Sequence, residues 1–144
     1  MEFKRVHEGI NCNCIEDANE NNADLFARKV GDTKDLKERD FRTHYERGKL
    51  SATSDCKEIC GLRGLSFEIW SDASRADLMK RYSITSGIQP KAKKQLFIFK
   101  IKENAGLVKY TPEQPSGYNA YHYDFFKEDN FTIELLALQE SYAI

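Results

Sequence analysis

Polar and apolar positions alternate most regularly from Gln95 to Lys102. There QLFIFKIK places Phe97, Phe99 and Ile101 on one face of an extended strand and Leu96, Ile98 and Lys100 on the other. Asn104 to Gly106 can turn this strand into a partner, Leu107 to Thr111, which Pro112 stops. After a loop with Pro115 and Gly117, alternation resumes from Tyr121 to Phe126. Residues 127 to 130 form a turn, and Phe131 to Leu138 closes the series. These segments predict a four-stranded C-terminal meander, with Leu65 to Trp70 as a fifth strand and Phe97, Phe99, Ile101, Ile133 and Leu135 as its core.

Helical spacing is confined to the middle of the chain. Thr33 to Arg47 is highly charged, with Leu36, Phe41 and Tyr45 as a narrow apolar stripe and Gly48 as terminator, and predicts a peripheral helix. Asp55, with Glu58 three residues on, fits a capping box for a short helix that Gly61 or Gly64 ends. Ser71 or Asp72 can cap a third, running to about Tyr82 with Leu78 and Tyr82 on one face. Upstream, Ile10, Cys12 and Cys14 alternate with asparagines, as in a short strand. The expected fold class is α+β: an antiparallel sheet of about five strands, mostly from the C-terminal half, with two or three short helices on one face.

Composition refines this picture. The 144 residues are the size of one domain, 1–144, able to bury a core without cross-links. Only four of 17 aromatic residues fall in the first 60, so the core is expected to be mainly C-terminal. Residues 16–24, EDANENNAD, have few apolar side chains to bury and read as a flexible acidic loop. A net charge of -1 gives no electrostatic reason to expect nucleic acid as a partner. No secretory h-region follows the start and no apolar run approaches the length of a membrane span, so a cytoplasmic protein without a membrane partner is expected.

Four cysteines form two close pairs, Cys12-x-Cys14 and Cys56-x-x-x-Cys60. In a reducing compartment they are expected to be buried, reduced thiols. The alternative is a structural zinc site built from Cys12, Cys14, Cys56 and Cys60, since four thiols in two groups are its minimum equipment. Neither pair has the usual C-x2-C knuckle spacing. Side chains two apart on a strand are about 7 Å apart, too far for one ion without a kink. A pair four apart on a helix is about 6 Å apart at Cβ and can chelate. No cofactor is otherwise expected.

His122 and Asp124 are the candidate catalytic pair. On a strand they share a face, where the carboxylate can orient the imidazole and raise its basicity. The plain expectation is that both point to solvent, leaving Tyr121, Tyr123 and Phe125 in the core. Arg42, His44 and Arg47, with Lys49 nearby, are candidate anion-binding residues, and Tyr121 and Tyr123 candidate contact residues. Arg75, Lys80, Arg81, Lys91, Lys93 and Lys94 around Tyr82 form a second basic set. P-loop, dinucleotide-binding, zinc-protease and nucleophile-elbow motifs are absent from the sequence. The expected function is therefore a small interaction or accessory protein with a protein partner met through an aromatic-rich surface. The alternatives are a small enzyme or anion-binding domain at His122 and Asp124, or a zinc-stabilised binding module.

Overall fold

Three strands of alternating side chains make the centre of a six-stranded antiparallel sheet. They are β1 (Leu25–Val30), β2 (Leu65–Trp70) and β3 (Gln95–Ile101). A computed structural model describes residues 1–31, 35–84 and 94–144. β4 (Gly106–Tyr110), β7 (His122–Lys127) and β8 (Leu136–Ala143) complete the sheet, and β5 (Glu113–Gln114) and β6 (Gly117–Tyr118) form a separate two-stranded hairpin. The strand order is β4-β7-β2-β1-β3-β8. The helices are α1 (Lys4–His7), α2 (Cys56–Arg63) and α3 (Arg75–Arg81). The α+β fold and antiparallel sheet are as the sequence predicts, but the meander is not: β3 and β4 are consecutive in sequence and lie near opposite edges.

β1 is the strand of the six-stranded sheet that sequence reasoning missed, and it explains the misplaced topology. It pairs with β2 through Phe26↔Ile69 and with β3 through Phe26↔Phe99, and so separates the two strands. β7 then adds to β2 with Leu65↔Phe125, and β4 to β7 with Val108↔Phe125. β4 must begin with glycine. A Cβ on Gly106 would stand 2.2 Å from the Phe126 carbonyl oxygen and 2.8 Å from the Phe125 ring. The last strand starts later than predicted, because Ile133–Leu135 turns as a 3-10 helix; Ile133 and Leu135 pack against the core from its border rather than from within the sheet.

One sheet face carries the main core. Phe26, Phe67, Phe97, Phe99, Phe125 and Ile101 project from it and are fully buried, together with Phe41 from outside the sheet. Phe67 is at the hub: its ring lies 4.9 Å from Phe99 edge-on and 4.9 Å from Phe125 in a stack, with Phe26 and Phe41 just beyond 6 Å. Phe41 arrives on a 3-10 turn, Glu38–Phe41, not on the predicted α-helix. The backbone turns extended at Arg42 (φ -88°, ψ 132°), and Thr43 and Glu46 cap each other's backbone N–H in a fresh turn. Gly48 ends that turn at φ +83°, the left-handed role expected of it. Residues 32–34 and 85–93, which include the predicted start of that helix and Lys91 and Lys93, lie outside the described residues.

Both longer helices cover the opposite face, as predicted. α3 seats Leu78 on Trp70, Ala27, Leu96 and Ile98. Ser74, rather than Ser71 or Asp72, stands at its N-cap, its hydroxyl donating instead to the Ile69 carbonyl at 2.6 Å. α2 begins where Asp55 accepts a hydrogen bond from the Lys57 N–H at 2.9 Å, and stops at Gly64. Beside it Val6, Cys14 and Phe126 form a small apolar cluster.

The cysteines correct the sequence expectation. They are not reduced thiols but two disulfides, Cys12–Cys56 and Cys14–Cys60, with Cα separations of 5.6 and 5.2 Å. In this form Cys12, Cys14, Cys56 and Cys60 offer no thiolate to zinc. The spacing accounts for the pairing. Two residues of extended chain advance about 6.6 Å and four of helix about 6 Å, so C-x-C laid along C-x3-C aligns both sulfur pairs. Cys12 lies in irregular chain and Cys14 at the first position of a turn, so the predicted strand is not formed and the separation need only come near the extended one. The outer bridge reaches the exposed Cys56, and the inner one is sealed by the buried Cys14.

Candidate functional site

β2 and β7 lie side by side, with Glu68↔His122 and Ser66↔Asp124 in register. His122 and Asp124 therefore share a sheet face, as expected, but neither points to open water. His122 is 6% exposed and Asp124 is mostly covered. Packing causes this, because α2, α3 and the N-terminal segment all lie over that face.

Thr111 links the two residues. Its hydroxyl lies 2.9 Å from His122 Nδ1 and is near enough to the Asp124 carboxyl to favour its ionised form, while Nδ1 also lies 3.0 Å from the Thr111 carbonyl. A ring N–H at Nδ1 donating to that carbonyl leaves Nε2 as the free lone pair. Burial, only partly countered by the Thr111 carbonyl and Glu68, lowers the His122 pKa. Burial also pushes Asp124 up to about 7, against hydrogen bonding from Thr111 and the charge of Lys109. Gly64 of the α2 stop leaves room for that carboxyl, since a Cβ there would meet Asp124 Cβ at 3.0 Å.

Glu68 anchors a second half of this polar band that the sequence did not announce. Its carboxylate accepts hydrogen bonds from Arg81 and the Tyr82 hydroxyl, and from Asn119 Nδ2 at 3.2 Å. Arg81, predicted as part of a basic surface, pairs with Glu68 and ties α3 to the sheet while its side chain stays 44% exposed. Burial and the neighbouring carboxylate raise the Tyr82 pKa. The one available sign was Glu68 itself, a carboxylate within a strand otherwise rich in apolar residues.

Asp124 makes stability pH-dependent in a defined sense. Its folded pKa of about 7 is above the ordinary 3.8, so its contribution is fully present below about pH 4 and is lost as pH rises to about 7. Asp124→Asn, which keeps an acceptor for Thr111, is expected to match the parent at pH 4 and to exceed it at pH 8 by about 1 to 3 kcal/mol. Urea unfolding at the two pH values checks this. Equal gains at both would show that the carboxyl titrates normally.

The remaining candidates are dispersed. Arg47 and His44 do meet, Nη2 to Nδ1 at 3.2 Å, and Arg42 donates to the Glu46 carbonyl at 3.2 Å, but on a turn rather than a helix. Partial burial and the charges of Arg47, Lys49 and Arg28 lower the His44 pKa. Tyr121 precedes β7 and packs on the α3 side, its hydroxyl on Asp77, rather than in the main core. Tyr123 does pack against the main core and against Tyr110, with ring centroids 5.1 Å apart. Two clefts flank Arg63, whose guanidinium lies 3.7 Å over the Tyr45 ring and donates to the Val6 carbonyl at 3.1 Å. Neither is lined by His122 or Asp124.

Among the described residues no group of three or more His, Cys, Asp and Glu side chains is arranged to hold a metal ion, and no helix is long and apolar enough to cross a membrane. Comparison with protein-family models, curated proteins and solved structures finds no match to this chain.

Proposed function

We propose that this chain is a disulfide-stabilised interaction module that binds a protein partner through a tyrosine cluster at the β4 edge. The observation that carries this reading is the grouping of Tyr110, Tyr118 and Tyr123. Tyr110 and Tyr118 are 48% and 67% exposed, and Tyr110 contacts both other tyrosines. Tyrosines bring large contact area at low conformational cost and dominate many binding surfaces. Tyr123 is fixed edge-on against Phe26, so a rigid core holds the patch in place. The two disulfides favour an oxidising compartment over the cytoplasm that the sequence suggests.

The enzyme or anion-site reading at His122 and Asp124 has less support. Both groups are engaged with Thr111 under a covered face, and the two clefts beside Arg63 lie elsewhere. Quantitative cross-linking of partners to the parent and to Tyr110→Ala/Tyr118→Ala discriminates the readings. The double variant should keep its melting temperature and bind a partner about thirtyfold more weakly, the loss of a typical hot spot. Undiminished binding would remove the tyrosine patch from the function.

A further inference from the structure

The β4 edge is bordered by the acidic segment, and the two are joined by backbone. Asn19 and Val108 exchange both hydrogen bonds, at 2.9 and 2.8 Å, which lays the segment antiparallel along the outer side of β4. At one end Glu20 accepts the Asn104 N–H at 3.0 Å. Asp17, two residues before the bridge, and Tyr110, two residues after its partner, both flank that pair in sequence. Asp24, held in a turn by Asn21, acts electrostatically on Tyr123. Glu16, Asp17, Glu20 and Asp24 are all exposed, and none forms a salt bridge among the described residues. No lysine or arginine occurs between residues 16 and 24. On β4 itself, Lys109 projects to the other sheet face, where it acts on Asp124.

Resting on the proposed interaction role, we infer that the partner presents a cationic, lysine- or arginine-rich segment to this edge. The two halves of the surface call for the same chemistry. Exposed tyrosine faces attract ammonium and guanidinium groups through the ring quadrupole. The exposed carboxylates of the bordering segment act on a docked chain over about one Debye length, 8 to 10 Å. An anionic partner would meet repulsion along the whole border, and a purely apolar one would leave the carboxylates unused.

The test is fluorescence-anisotropy titration of the intact, disulfide-bonded chain with a fluorescein-labelled peptide of alternating arginine and glycine. Binding should weaken about tenfold between 50 and 200 mM salt. It should weaken about tenfold in Glu16→Gln/Asp17→Asn/Asp24→Asn and about fivefold in Tyr110→Ala/Tyr118→Ala, and stay unchanged in Glu140→Gln on the far edge. Equal binding by the acid variant and the parent overturns the inference. Absence of peptide binding by a chain whose partner cross-linking still depends on Tyr110 and Tyr118 overturns the inference and leaves the tyrosine reading standing. Loss in the acid variant alone upholds a cationic partner and overturns the tyrosine reading.

Discussion

Reduction of both disulfides should lower stability by about 6 kcal/mol, a large share of what holds a domain of this size folded. The bridges span 44 and 46 residues, and closing one loop of that length constrains the unfolded chain by about 4 kcal/mol. The second closes only a short circuit between neighbouring bridges and adds about 2 kcal/mol. Removing the outer pair with Cys12→Ser/Cys56→Ser should therefore cost far less than removing both. Urea unfolding with and without a thiol reductant measures each step. An unchanged midpoint after complete reduction would mean that α2 and the N-terminal segment hold together by packing alone.

Truncation of Phe67 ranks next. Phe67→Ala removes the ring that meets Phe26, Phe41, Phe99 and Phe125, and fully buried phenylalanines cost about 3 to 5 kcal/mol when cut to alanine. The upper part of that range is expected, because four rings lose a neighbour and the rigid sheet cannot close the gap. Phe99→Ala should follow closely, since its ring meets two others, Phe41 and Phe67. Thermal melts of the oxidised proteins rank the two, and a smaller loss at Phe67 than at Phe99 would contradict its place at the hub.

Legibility in the sequence followed how local each signal was. The period-two pattern of residues 95–102 and the flanking caps of α2 are written in adjacent residues, and β3, β2 and α2 lie close to where those patterns put them. β1, LFARKV, lacks that alternation, since Arg28 shares a face with Phe26 and Val30, and it is one short run amid charged residues in an aromatic-poor half. Its central place depends on partners more than 30 residues away. Its omission let β3 and β4 read as neighbours. At the site, strand alternation put His122 and Asp124 on one face. What it does not encode is that α2, α3 and the N-terminal segment cover that face, so solvent exposure was misjudged. Thr111 and Glu68 joined the group only through the pairing of β4, β7 and β2. The cysteine pairing was hidden because each spacing alone, two apart or four apart, fits several outcomes; only the match between the two spacings points to a ladder of bridges.

The position of β1 has a consequence for how the chain emerges during synthesis. Residues up to 101 contain both bridged cysteine pairs and the three central strands, so a covalently closed half-sheet can assemble before the rest is made. That nascent half presents β2 and β3 as two bare margins until β7 and β8 arrive to cover them. A ribosome stalled beyond β3 would display a sticky, already cross-linked intermediate, one that an oxidising environment locks in place before its last strands exist.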